Sequence, residues 1–273
     1  MSPLESFATK RAARAGVAIF TVVTAGVVAV QLGSGVGSSS GISFLDHALA
    51  TMAEPQTVGQ SGWDISNIDH NRVDMWIGIY TTRPKLRDRF AVWLERKPKY
   101  EAMISEKLAA RGMPQDLIYL AMIESGFNPK AYSHAKAGGL WQFIAETGQR
   151  YGLEVNRRVD ERNHPDKATD AALAYLTDLH ERFGSWYLAA AAYNTGENRV
   201  GRIMREVTGK ERGTDADYYR ISSRLPRETR DYVPMMIAAA RISKDPAKYG
   251  FGPESTHRRT AAAEVAQEPR ASE

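Results

Sequence analysis

The run LIYLAMIE places Leu117, Leu120, Ala121 and Glu124 at i, i+3, i+4 and i+7, which is one face of a helix. An ionised carboxylate in register with an apolar stripe is expensive, and the usual escape is to keep its proton with a raised pKa. A glutamate in that state can donate a proton near neutral pH, as a general acid must. Pro114, just after Gly112-Met113, predicts the helix start. Gly126 predicts its C-terminal cap, and Asn128-Pro129 forbids continuation. Glu124 is therefore expected at a helix end, opening on a loop that a ligand can approach. The competing reading is a terminal carboxylate that turns outward and hydrates, and this helix alone does not separate the two.

The rest of the chain reads as helices punctuated by proline and glycine. Val73, Trp76, Ile77 and Tyr80 predict a helix ending before Pro84. Phe90, Trp93 and Leu94 predict a second that stops before Pro98, and Tyr100, Ile104 and Leu108 a third closed by Gly112. After a small-residue loop from Lys130 to Gly139, Trp141, Phe143 and Ile144 predict a short helix running to about Gly148. The polar stretch Tyr151 to Pro165 allows one short β-hairpin. Pro165 to Phe183 is the clearest helix, capped by Gly184. WYLAAAAYNTG predicts a buried helix whose four alanines admit close neighbours and whose end carries Tyr193 and Asn194. Another helix is expected from Glu197 to Thr208, then a polar loop from Lys210 to Ser223, then a last helix from Arg227 to Ile242 in which Pro234 should make a bend or mark a junction. The expected fold class is mainly α.

Composition narrows the chemistry. The chain has no cysteine, so a disulfide framework, a thiol nucleophile and an acylated N-terminal cysteine are all excluded. Its six histidines include no pair at ligand spacing, and no metal or cofactor is expected. Net charge is +4, but the basic residues are scattered, which argues against nucleic acid as a partner. Lys10, Arg11 and Arg14 precede an apolar run from Ala15 to Leu32, and no charge returns until Asp46. A basic flank before such a run predicts export, as a cleaved signal or an inner-membrane anchor through residues 15–32. The expected organisation is a signal or anchor over 1–40, a linker over 41–62, a catalytic domain over 63–250 and a disordered tail over 251–273.

Four short motifs in order carry a resemblance: Glu124-Ser125 in IESGFNP, Gly139-Leu140-Trp141-Gln142, Ala192-Tyr193-Asn194 in AAYNTGENRV, and RETRDYV with Tyr232. Together they resemble the soluble-lytic-transglycosylase superfamily, most closely the membrane-bound lytic murein transglycosylase D type, from about Val73 to Tyr249. The resemblance implies a lysozyme-like α-helical domain with a deep glycan groove, acting in the periplasm or cell envelope as a monomer on peptidoglycan glycan strands. It implies cleavage of the β-1,4 bond between N-acetylmuramic acid and N-acetylglucosamine without water, leaving a 1,6-anhydromuramic end. Glu124 would be the single catalytic glutamate, and Ser125, Gln142, Tyr193, Asn194 and Tyr232 would line the groove or orient the acid. Members of that type carry C-terminal LysM repeats, for which this sequence has no room, and some are lipoproteins. Both departures bear on wall anchoring and not on the chemistry.

The residues can also be weighed without the resemblance, and then only Glu124 earns a role. Tyr193 and Tyr232 can be core tyrosines, Asn194 a helix cap, Ser125 a turn residue and Gln142 a solvated amide that equally suits an N-acetyl group. Glycosidases ordinarily use two carboxylates. The candidate seconds, Glu146, Asp160, Glu161 and Glu197, all sit in polar helix starts or loops and read as solvated. One sequestered acid favours a route in which the substrate's own 2-acetamido and C6 hydroxyl groups do the rest. The rival readings are a goose-type muramidase that hydrolyses the same bond, and a non-catalytic scaffold that only holds glycan.

Overall fold

The computed structural model of the protein describes residues 62–252. The apolar run Ala15 to Leu32, the expected linker up to residue 61 and the tail from residue 253 lie outside the described residues. Within them the chain is helical: α1 (Asn71–Thr82), α2 (Pro84–Arg96), α3 (Pro98–Ala110), α4 (Ile118–Ser125), α5 (Ala145–Arg150), α6 (Pro165–Phe183), α7 (Trp186–Thr195), α8 (Glu197–Thr208), α9 (Asp215–Ile221) and α10 (Arg227–Lys244). Among the described residues β-pairing is limited to isolated bridges, and no helix is long and apolar enough to cross a membrane.

Two buried helices organise the others. α10 packs against α1, α4 and α7, and α7 also packs against α6, α8 and α9. Ala189 to Ala192 are fully buried, so α7 can lie close to its neighbours without large side chains between the backbones. α4 is short but buried at every position from Ile118 to Glu124. A helix apolar on all sides must be wrapped by the fold, and here α10, α3 and a preceding 3-10 turn do it. That turn, Gln115–Leu117, starts one residue after Pro114, and the α-helix begins only at Ile118. Its free backbone N–H groups are met from far along the chain, since Asp64 accepts from the amides of Gln115 and Asp116.

Gly126 ends α4 in the left-handed region, φ 60°, and a Cβ there would lie 2.0 Å from the Trp93 ring. Glycine is needed twice over, for the cap and for the contact of α4 with α2.

Three expectations are corrected. Trp141 to Ile144 are not helical: Phe143 exchanges both backbone hydrogen bonds with Gly138, and Gln142 sits at φ 49°, so α5 begins at Ala145. The segment expected as a polar loop from Lys210 to Ser223 contains α9, started by a Thr214–Asp217 capping box and anchored by buried Tyr218 and Ile221. The stretch Tyr151 to Pro165 holds a single bridge, Val155 to Asp160, rather than a hairpin of strands. α10 runs unbroken through Pro234, so no junction falls there. Proline cannot donate to the carbonyl of Arg230 four residues back, and the Tyr218 hydroxyl donates to that oxygen instead, at 2.8 Å.

Candidate active site

Glu124 is the last buried residue of α4, 9% exposed, and the last but one of the helix. The Tyr232 hydroxyl, on α10, donates to its Oε1 at 2.5 Å. Burial pushes the Glu124 carboxyl up to about 8, against the pull of the Tyr232 hydrogen bond, which favours the charged form. The negative charge of Glu228, one turn before Tyr232 on α10, pushes it further the same way. The carbonyl end of α4 is a poor host for an anion as well. The carboxyl therefore holds its proton through neutral pH.

Tyr193 closes the other side. It stands at the end of α7, its hydroxyl donates to the carbonyl of Trp141 at 2.7 Å, and burial, with a smaller push from Glu124, drives its own pKa up. Trp141 is held in turn by its indole N–H, which donates to Thr169 on α6 at 2.9 Å. A line of rings, Tyr151, Tyr175 and Tyr193, at centroid separations of 4.9 and 5.2 Å, runs outward from the site to the surface.

The turn Gly139–Gln142 connects these groups to Ser125. The Ser125 hydroxyl donates to the carbonyl of Leu140 at 2.8 Å and accepts from the amide of Asn128 at 3.2 Å, so it ties the end of α4 to that turn. Gln142 is buried in the left-handed region, a strained conformation for a side chain of its size. Its Nε2 donates to the carbonyls of Gly139, at 2.9 Å, and Ala131, at 3.3 Å. The amide N–H groups thus brace the turn instead of facing outward. Gly139 lies against the backbone oxygen of Arg162, where a Cβ would come within 1.7 Å. Asn194 follows Tyr193 and is 5% exposed; the Thr229 hydroxyl donates to its Oδ1 at 2.7 Å, and its Nδ2 is buried with no protein partner.

The structure brings Glu124, Tyr193 and Tyr232 to one place, joins Ser125 and Gln142 to it through the 139–142 turn, and sets Asn194 beside Tyr193. The four other carboxylates weighed from sequence behave differently. Glu146 is exposed. Asp160 and Glu161 are held below their usual range by hydrogen bonds and charges from Arg162 and Lys167, and Glu197, against its own burial, by its backbone amide, the Tyr175 hydroxyl and Arg150. Sequence reasoning missed Glu228, half-buried and acting on both Glu124 and Tyr232. Its spacing of four from Tyr232 was the available signal. It also missed Thr229 as the partner of Asn194. Among the described residues no group of three or more His, Cys, Asp or Glu could hold a metal ion.

Residues 101–215 match the model of the Transglycosylase SLT domain. The chain is 39% identical over 171 residues to membrane-bound lytic murein transglycosylase D of Escherichia coli (strain K12), covering 62% of this chain and 37% of that protein. It is 27% identical over 187 residues to membrane-bound lytic murein transglycosylase C of Haemophilus ducreyi, covering 62% of this chain and 47% of the relative. The chain thus spans less than half the length of these curated relatives. Among solved structures it is similar to an inactive mutant of the lytic transglycosylase Slt from Pseudomonas aeruginosa, with 25% identity and a TM-score of 0.43, over 54% of this chain and 24% of that one. The matched segment holds Glu124, Ser125, Gln142, Tyr193 and Asn194 but ends before Tyr232 and Glu228. Residues 101–215 of this chain are thus similar to the Transglycosylase SLT domain, and the chain is similar over 171 residues to a membrane-bound lytic murein transglycosylase.

Proposed function

We propose that this protein is a peptidoglycan lytic transglycosylase, cleaving the β-1,4 bond between N-acetylmuramic acid and N-acetylglucosamine with Glu124 as acid and then base. The observation that carries the reading is the state of Glu124: buried, protonated through neutral pH, and bonded to the Tyr232 hydroxyl.

In the first half of the reaction Glu124 gives its proton to the departing O4 as the bond from that oxygen to the muramic C1 breaks. Positive charge develops at C1, and the substrate's 2-acetamido group shares it. The carboxylate left behind is stabilised by the Tyr232 hydrogen bond, which favours the charged form. In the second half the C6 hydroxyl attacks C1, and Glu124 takes its proton. No water is consumed and Glu124 ends as it began. Opposed influences, burial and Glu228 holding the proton and Tyr232 easing its loss, bring the group near the pH at which one residue serves as both acid and base. The buried Nδ2 of Asn194 is a donor without a protein partner, suited to a carbonyl of an N-acetyl group. Ser125 and Gln142 act through the turn they brace.

The unit that does this is residues 63–250, as a monomer outside the cytoplasm. The support is the basic-flanked apolar run at 15–32 and the membrane-bound lytic murein transglycosylases to which the chain is similar. One observation favours a second reading. Glu228 supplies a further carboxylate near Glu124, and a carboxylate that activates water would make the enzyme a hydrolysing muramidase. Incubation of the purified protein with sacculi, followed by mass spectrometry of the released muropeptides, separates the two. Transglycosylation gives products one water lighter than hydrolysis, and release of reducing-end products alone would overturn the first reading.

A further inference from the structure

Tyr132 stands out among the described residues because it is a large side chain left 62% exposed in a segment that is otherwise tightly held. The loop that carries it is closed by a ladder: Ser133 N–H to the Ala137 carbonyl, Gly139 N–H to the Ala131 carbonyl, and a bridge pairing Tyr132 with Gly138. Gly138 pairs in turn with Phe143, so Tyr132 is one rung away from the strand-like segment that holds Trp141 and Gln142 at the site. The residue before it, Ala131, accepts from the Gln142 amide.

The ring is also supported from behind. The Arg162 guanidinium lies over it, 5.8 Å from the centroid. That guanidinium is itself immobilised: Nε and Nη2 donate to Asp160 at 2.8 and 2.6 Å, and Nη1 donates to the carbonyls of Lys136 and Phe143 at 2.7 and 2.9 Å. A cation on one face orients an aromatic ring and leaves the other face to solvent. Val159, another of the exposed large hydrophobics, directly precedes the Asp160 that grips Arg162. Ordering an exposed aromatic on a rigid loop has no folding benefit, and two apolar groups kept outward by one support point to a ligand surface.

We propose that Tyr132 is a sugar-stacking platform that extends the glycan path beyond the scissile bond, a role that rests on the transglycosylase reading above. In a β-1,4-linked N-acetylhexosamine strand the ring substituents are equatorial, so each pyranose shows a face of axial C–H groups. Such a face lies flat on an aromatic ring, while its hydroxyl edge stays in water. The platform selects for strand length, because only a strand long enough to reach past Glu124 meets it.

The test is calorimetric binding of peptide-free peptidoglycan oligosaccharides, of two and of six sugars, to the Glu124→Gln protein with and without Tyr132→Ala. Covering one ring face removes roughly 50 Å² from water, and Tyr132→Ala should weaken binding of the longer strand about five- to tenfold while barely changing the shorter. Tyr132→Phe and Tyr132→Trp should keep the long-strand affinity, since either ring can stack. Equal affinity of the Tyr132→Ala and parent proteins for the longer strand would overturn the platform and leave the catalytic reading standing. Failure of the parent protein to bind either oligosaccharide would overturn both.

Discussion

The hydroxyl of Tyr232 meets Oε1 of Glu124 at 2.5 Å across 108 residues of sequence, joining the end of the short buried helix α4 to α10, which packs against it. This contact works against burial. Burial and Glu228 keep the proton on Glu124, whereas Tyr232 stabilises the anion once the proton has gone.

Replacing Tyr232 by phenylalanine should therefore raise the Glu124 pKa further, not lower it. The alkaline limb of the pH–rate profile should move up by roughly one unit, and kcat should fall by about ten- to a hundredfold as the anion loses its donor. A kcat/KM profile from pH 5 to 10 checks both. A downward shift of the limb would count against the arrangement.

The pH dependence of stability follows from the same group. Its folded pKa, about 8, lies above the ordinary carboxylate value, so between about pH 4.5 and 8 the folded state binds the extra proton. Stability contributed by Glu124 is thus complete at low pH and is lost as pH rises through that window. The loss is on the order of 3–5 kcal/mol. Glu124→Gln, which cannot ionise, should flatten this part of the denaturation-versus-pH curve and melt higher than the parent at pH 8.5.

Gly126→Ala should be costly out of proportion to one methyl group. It places a side chain in the left-handed region and drives a Cβ into the ring of Trp93. A loss of about 2–4 kcal/mol in chemical denaturation is expected, with activity falling as α4 shifts. At Gly152, also at positive φ but with open space around it, the same change should cost only about 1 kcal/mol.

Tyr218→Phe removes the hydroxyl that answers the carbonyl freed by Pro234, and leaves the backbone oxygens of Thr229 and Arg230 without it. A loss of about 1–3 kcal/mol is expected. Restoring the backbone donor with Pro234→Ala should recover part of that loss in the double variant, which a double-mutant cycle measures.

Much of this was legible in the residues themselves. Pro165 and Gly184 bracket α6, and Gly126 ends α4, because proline and glycine act locally and leave the same mark in any context. Glu124 was legible because its neighbours on the stripe are apolar. What escaped was whatever depends on contacts made across the fold. Trp141 to Ile144 have helical spacing, yet pairing with Gly138 holds them in a bridge. Pro234 reads as a bend or junction, and Tyr218, sixteen positions earlier, explains why the helix runs on. Glu228 looks like any first-turn acid until α10 lies against α4 and sets its charge near Glu124. Gln142 reads as a ligand-facing amide, whereas its N–H groups are taken up by the backbone of its own loop.

The central claim is that Glu124 keeps its proton through neutral pH, and it can be read directly. Carbon-13 NMR of protein labelled at the glutamate side-chain carboxyl, titrated from pH 4 to 10 and compared with the Glu124→Gln protein, isolates this one resonance. A midpoint near 8 is the expected result. A midpoint near the ordinary value of about 4.3 would show an ionised carboxylate at neutral pH and contradict the account.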